Sequence, residues 1–166
     1  TASVAATQSY VLAAVNDAPT GTATAVLAAG SEDTAYTVSA SALLTGFSDV
    51  DGDTLSVAGL SASNGSVVDN GNGTFTITPT ANFNGAVSLS YNVTDGTASV
   101  AATQSYVLAA VNDAPTGTAT AALAAGSEDT AYTVSASALL AGFSDVDTGD
   151  TLGVAGLSAS NGSVVD

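Results

Sequence analysis

Val87-Ser88-Leu89-Ser90-Tyr91-Asn92-Val93 alternates apolar and polar residues without interruption, and Thr74-Phe75-Thr76-Ile77-Thr78 does the same a few residues earlier. Successive side chains of an extended strand point to opposite faces, so this period-2 pattern describes strands with one buried face. Turn residues fall between such runs: Asp51-Gly52-Asp53, Asn64-Gly65, Asn70-Gly71-Asn72-Gly73 and Asp95-Gly96. Gly takes positive φ without steric cost, and Asn and Asp side chains bond their own backbone two residues on. Reading outward from the two alternating stretches, strands are expected near 22–28, 35–39, 54–60, 65–69, 73–78, 86–94 and 98–111. Ser41–Gly46 reads as an irregular or short helical detour, because Ala42-Leu43-Leu44 interrupts the alternation.

The sequence repeats itself. The stretch that starts at Thr1 starts again at Thr97, an offset of 96 residues, and continues to the end of the chain with one inserted residue, Thr148. Three substitutions separate the copies: Val26 against Ala122, Thr45 against Ala141 and Ser56 against Gly153. A period this long suits a whole small domain repeated in tandem. Val15-Asn16-Asp17-Ala18-Pro19 recurs as Val111-Asn112-Asp113-Ala114-Pro115 and marks the junction, since Pro lacks a backbone donor and restricts its predecessor. Residues 1–15 are then the C-terminal strand of a preceding repeat, 16–111 a complete repeat and 112–166 the N-terminal part of the next. With no initiator Met and no signal peptide, the chain reads as a segment of a longer protein. Seven short strands in one repeat predict an all-β fold, with immunoglobulin-like Greek-key sandwiches arranged end to end; a small barrel is the alternative.

Composition removes whole classes of function. The 166 residues carry 15 acids and no Lys, Arg or His, for a formal charge of −15, and there is no Cys, Met or Trp. A Ser-His-Asp triad, a Schiff base, an imidazole metal site, a thiol nucleophile and a thiolate zinc site are all excluded. Nothing basic is present to neutralise phosphates, which argues against nucleic acid and anionic membranes as partners. No apolar run reaches the length of a membrane span, so membrane insertion is not expected either.

Strand parity places the acids. If each strand crosses the sandwich once, Asp17, Asp49, Asp51, Asp53, Asp69 and Asp95 gather at the pole where the linker enters, and Glu32 and Asp33 lie at the far pole. Crowded carboxylates without basic partners must be protonated, solvated or bound to a cation. Calcium accepts the irregular oxygen-rich geometry that acidic loops supply, and Asp49-Val50-Asp51-Gly52-Asp53 puts short acids on a tight turn. It is not an EF-hand, because Leu60 stands where the bidentate Glu belongs. Asp49 and Asp51 are the expected ligands, with Asp53 the third acid of the loop. In the next repeat Thr148 leaves Asp145-Val146-Asp147 intact but moves the third acid to Asp150. Either that acid is peripheral or the turn absorbs one extra residue.

Taken in order, Val15-Asn16-Asp17-Ala18-Pro19, Glu32-Asp33-Thr34, Asp49-Val50-Asp51-Gly52-Asp53-Thr54-Leu55, Asn64-Gly65-Ser66-Val67, Thr74-Phe75-Thr76-Ile77-Thr78-Pro79, Phe83-Asn84-Gly85 and Tyr91-Asn92-Val93-Thr94-Asp95-Gly96 resemble the bacterial cadherin-like or Ig-like tandem repeats of giant secreted adhesins. The resemblance spans the whole repeat. It implies a β-sandwich extender module with calcium ions at interdomain junctions. Animal cadherins use a similar scheme: an upstream acid, an Asn-Asp linker and a downstream Asp-x-Asp loop. Carried over, these roles fall on Glu32, on Asn112 with Asp113, and on Asp145 with Asp147. Asp17, Asp49, Asp51 and Asp95 serve the preceding junction; Asn16, Asp53 and Glu128, the last repeating Glu32, are the further candidate metal residues. The chain departs from the scheme in lacking a clear second acidic pair on the upstream domain.

The functional expectation is therefore a non-enzymatic, extracellular, bacterial surface module that partners neighbouring repeats of its own chain and other copies in a fibre. A self-assembling filament or surface-layer subunit and a carbohydrate-binding module are the alternatives. Paired carboxylates can serve a glycosidase, but Tyr36, Phe47, Phe75, Phe83, Tyr91 and Tyr106 mostly fall at alternating strand positions and read as core, not as a sugar platform. The Asn-x-Ser/Thr sequons at Asn64, Asn72, Asn92 and Asn161 arise easily in an Asn- and Thr-rich chain.

Overall fold

In the computed structural model, which describes residues 1–165, the elements in chain order are β1 (Thr20–Gly21), β2 (Gly30–Ser31), β3 (Tyr36–Ser39), α1 (Ala40–Leu43), β4 (Phe47–Ser48), β5 (Ser56–Ala62), β6 (Ser66–Asp69), β7 (Thr74–Thr78), β8 (Gly85–Thr94), β9 (Ser99–Ala109), β10 (Thr116–Gly117), α2 (Ala136–Leu139) and β11 (Phe143–Ser144). The chain divides into two units, Thr1–Ala110 and Val111–Asp166; Asp166 lies outside the described residues.

The first unit is an all-β sandwich. One sheet has the order β2-β9-β8-β5 and the other β3-β7-β6, with β1 paired to β4 at the margin. The β8–β9 hairpin holds unbroken antiparallel register from Gly85↔Leu108 to Thr94↔Ser99. Its alternation does what the sequence demands: Val87, Leu89, Tyr91 and Val93 of β8 are buried, while the residues between them are exposed. Tyr106 and Leu108 of β9 join them, and Val38, Phe75 and Ile77 face them from the second sheet. Tyr36 stacks on Tyr106 with ring centroids 4.0 Å apart.

The detour after β3 is a single helical turn, α1, and it completes the core. Ser39 caps it by accepting from the Ala42 N–H, the preferred use of a hydroxyl at an N-cap. The turn drives Leu43 into full burial, and the Tyr91 hydroxyl donates to the Leu43 carbonyl at 2.7 Å. That bond joins the core of the four-stranded sheet to the helical turn.

The strand expected at 22–28 does not form. The chain instead makes two short contacts, β1 against β4 and β2 in parallel with β9, and residues 22–29 between them belong to no ladder. Their side chains still alternate, with Ala23, Ala25 and Leu27 turned partly inward. Backbone groups there are satisfied otherwise: Gln104 Nε2 donates to the Ala25 carbonyl, and the Tyr36 hydroxyl to the Ala28 carbonyl at 2.9 Å. Gly21, at φ +127°, turns the chain out of β1, and the Ala-rich stretch that follows has weak strand preference. Residues 1–15, the expected closing strand of a preceding repeat, belong to no strand and are exposed throughout.

The second unit repeats the local features of the first. β10 pairs with β11 in the register of β1 with β4, and α2 has the same Ser cap, here Ser135. Tyr132–Ser135, the counterpart of β3, is not a strand.

Candidate metal centre

At one end of the first unit the β4–β5 loop folds back on itself. The Asp51 N–H donates to Asp49 Oδ1 at 2.9 Å, an Asx turn of the kind that short acids make two residues apart. Gly52, at φ +81°, lets the loop reverse. Asp49, Asp51 and Asp53 thereby bring one carboxylate oxygen each to within 4.8 Å of one another. Calcium binds oxygen at 2.3–2.6 Å, so two ligands on opposite sides of one ion stand about 5 Å apart. The spacing fits a single hard cation. Asp49 is partly buried, and its Oδ2 is sealed from solvent with no hydrogen-bond partner, while Asp51 and Asp53 are exposed.

The segment leading into the repeat is tied to this loop. The Asp17 N–H donates to Asp51 Oδ2 at 2.7 Å, and the Asn16 amide donates to Asp95 Oδ2 at 3.1 Å and to the Asp17 carbonyl at 3.0 Å. Asp95 itself terminates the β8–β9 turn, its Oδ1 accepting from the Thr97 and Ala98 N–H groups at 2.6 Å each. These backbone donors at Ala98 and Thr97, with the Asn16 amide, hold the Asp95 carboxyl below the ordinary aspartate range. Asn16, Asp17, Asp49, Asp51, Asp53 and Asp95 thus share one pole, as strand parity requires. Asp69, expected there too, closes its own hairpin by accepting from the Gly71 N–H at 2.9 Å and is no member of the triad.

Glu32 and Asp33 stand at the other end of the same unit. Glu32 is 1% exposed; its N–H donates to the Ala109 carbonyl at 3.0 Å and its Oε2 accepts from Asn84 Nδ2 at 3.3 Å. Asp33 Oδ1 accepts from the Asn82 N–H at 2.8 Å. Asn84 and Asn82 are therefore polar members of this pole that the pattern of acids alone does not reveal. Their position in the β7–β8 turn, which parity assigns to the far pole, was the signal available.

The second unit builds the linker-pole arrangement again. Asp113 N–H donates to Asp147 Oδ2 at 2.7 Å, Asp147 N–H to Asp145 Oδ1 at 2.9 Å, and the Asn112 amide to the Asp113 carbonyl at 2.7 Å. Asp145, Asp147 and Asp150 form a triad within the same 4.8 Å limit. The turn absorbs Thr148, and the third acid keeps its place. Glu128 is exposed and stands apart from that triad.

Among solved structures, the chain is similar to an endo-fucoidan hydrolase, MfFcnA4 of glycoside hydrolase family 107, at 24% identity and a TM-score of 0.42, covering 57% of this chain and 14% of that one. A point variant of the same hydrolase aligns at 24% identity and a TM-score of 0.43, over 60% of this chain and 16% of that one. The chain thus spans a small fraction of both, and a likeness this loose carries no argument about activity. A search of curated proteins found no match. A family model described as the cadherin-like domain matches residues 15–109 and again 111–166. Between them the two stretches take in nearly the whole sequence, and the chain belongs to the cadherin-like domain family.

Proposed function

We propose that the chain is a stretch of structural extender modules from a long extracellular bacterial adhesin or fibre, stiffened by calcium at the linkers. The family supports the coarser part of this reading, an adhesion- or extender-type module of a generally extracellular and non-enzymatic class. No helix among the described residues is long and apolar enough to cross a membrane. The repeat unit is residues 16–111, with 1–15 closing the repeat before it and 112–166 opening the one after.

One observation carries the calcium assignment: the same three-carboxylate cluster recurs in both units, unchanged in reach by an inserted residue, in a chain with no basic side chain. Asp49, Asp51 and Asp53 would hold one ion, with Asn16, Asp17 and Asp95 supplying further oxygens from the linker and the β8–β9 turn. Asp145, Asp147 and Asp150, with Asn112 and Asp113, would do the same in the next repeat. Glu32 and Glu128 are the upstream acids. The reading of Glu32 is supported by the parallel contact of β2 with the end of β9, where the Glu32 N–H donates to the Ala109 carbonyl, only a few residues before Asn112 in sequence. The ion supplies the positive charge that the acids lack and joins the linker to the loop. The partners are neighbouring repeats and other copies in a fibre, not nucleic acid or membrane.

Calorimetric titration of the chain with calcium tests this. Binding at about 0.1–1 mM, the range of extracellular calcium modules, is expected. Asp49→Ala with Asp51→Ala removes the sites of the first unit and leaves those of the second. An absence of heat and of any calcium-induced chemical-shift change would sink the assignment.

A further inference from the structure

Asn-Gly pairs are chemically labile because glycine has no Cβ to shield its nitrogen from the preceding side-chain carbonyl. The first unit has them at Asn64, Asn70, Asn72 and Asn84, and the second at Asn161. The fold treats them unequally. The Asn70 amide donates to Thr74 Oγ1 at 2.9 Å and Thr76 Oγ1 at 3.0 Å, and the Gly71 N–H is held by Asp69 Oδ1. A nitrogen whose proton is bound to a carboxylate loses it reluctantly, since like charges would face each other. Asn72 Oδ1 accepts from both the N–H and the hydroxyl of Thr74, at 3.1 and 2.7 Å. Asn84 donates to the buried Glu32, and Gly85 is locked into β8 opposite Leu108.

Asn64 is different. Its amide makes one long contact, 3.5 Å to Ser63 Oγ, and Gly65 sits on a bend between β5 and β6, outside both strands. Gly65 has φ +123°, and a Cβ there would collide with the Thr78 carbonyl oxygen, so the turn cannot exchange its glycine for a shielding residue. Asn161 has the same Ser-Asn-Gly-Ser context, a matching φ of +112° at Gly162, and no strand on either side among the described residues.

We propose that Asn64 and Asn161 are sites of spontaneous deamidation, while Asn70, Asn72 and Asn84 are protected by the fold. The Gly65 nitrogen, on losing its proton to base, attacks Asn64 Cγ; the new C–N bond closes a five-membered imide as the Cγ–Nδ2 bond breaks and ammonia leaves. Water then opens the ring at either carbonyl, giving aspartate or isoaspartate, with no oxidant or reductant required. Each event adds one carboxylate. For Asn64 it appears at the end of β5, where the Ser63 N–H donates to the Ser88 carbonyl, toward the end of the sandwich that holds Glu32 and away from the aspartate triad.

The test is incubation of the intact chain at mildly alkaline pH, then digestion with pepsin in acid, which suits a chain without Lys or Arg, and tandem mass spectrometry that localises the change among the five Asn-Gly sites. Asn64 and Asn161, identical in sequence from Val57 to Asp69 and from Val154 to Asp166, are told apart on peptides that include Ser56 or Asn70 for the first and Gly153 for the second. Asn64 and Asn161 should convert first, and Asn70, Asn72 and Asn84 at least about ten-fold more slowly, the factor imposed by a local opening of about 1.4 kcal/mol. In denaturant the five rates should converge, and Asn64→Gln should remove the product at that site alone. Equal rates in the native chain would overturn the proposal. So would an Asn64 that stays intact while the denatured chain converts.

Discussion

Residues 1–14 and 97–110 have the same sequence and different structures. In the second copy Ser99–Ala109 is β9, and Tyr106 and Leu108 are 3% and 2% exposed. In the first copy there is no strand, and the counterparts Tyr10 and Leu12 are 83% and 79% exposed. The contrast recurs between Tyr36–Ser39, which is β3, and Tyr132–Ser135, which is not a strand. Other features are the same in both copies: the capped turn at Ala40–Leu43 and Ala136–Leu139, the β1–β4 and β10–β11 bridges, and the aspartate triads. The difference is one of range. A helical turn and an Asx turn satisfy their backbone groups within a few residues, whereas a strand needs a partner from elsewhere in the chain. β9 pairs with β8 and β3 with β7, whereas residues 1–14 and 132–135 pair with no strand among the described residues.

The largest test of this contrast supplies the missing partner. Placing a second copy of residues 16–96 ahead of Thr1 should turn 1–14 into a strand and bury Tyr10 and Leu12. Their amide protection should then rise toward the global stability of a small domain, about 5–15 kcal/mol. If those amides still exchanged freely, partner availability would not be what separates the copies.

A sharper version compares twin side chains. Leu43 is fully buried and Leu139 is not. Leu43→Ala should destabilise the first unit by about 2–5 kcal/mol in denaturant melts, the range for buried leucines. Leu139→Ala should leave that transition unmoved. Equal effects would mean that α1 and α2 have equivalent surroundings, against the burial observed.

These pairs also show what the sequence could tell. The β8–β9 hairpin was legible because strict alternation leaves one register that buries Val87, Leu89, Tyr91 and Val93 together. The detour was legible because Ala42-Leu43-Leu44 breaks that alternation. The stretch 22–28 misled because its side chains do alternate, while its carbonyls are taken by Gln104 and Tyr36, contacts distant in sequence that no local pattern records. At the candidate site, Asp49 and Asp51 were legible from spacing, since an Asx turn is local. The place of Asp150 was not, because only the folded loop shows that Thr148 is absorbed.

A smaller effect concerns pH. Asp95 holds its turn only where β8 and β9 are both present, and its carboxyl lies below the ordinary range because backbone N–H groups favour the ionised form. A lowered folded-state pKa gives stability that is present above the unfolded pKa and lost as pH falls through the folded value. Asp95→Asn should therefore flatten the acid limb of the first unit's stability curve, by a modest amount because the group is only partly buried and solvent screens it. An unchanged limb would contradict the assigned role of those bonds. The smallest expected effect is that of deleting Thr148: if the turn absorbs it, calcium binding by the second unit should change by less than about 0.5 kcal/mol, the usual scale for a surface change away from special features. A large gain on deletion would show that the insertion does disturb the triad.

The proposed role of calcium at the linker acids is to stiffen an array of these repeats. Small-angle scattering of a three-repeat chain, recorded with calcium and then with a chelator, tests it most directly. A long, thin particle is expected with calcium, becoming flexible or more compact when the ion is removed. A scattering curve indifferent to calcium would contradict it and leave the acids as solvated surface.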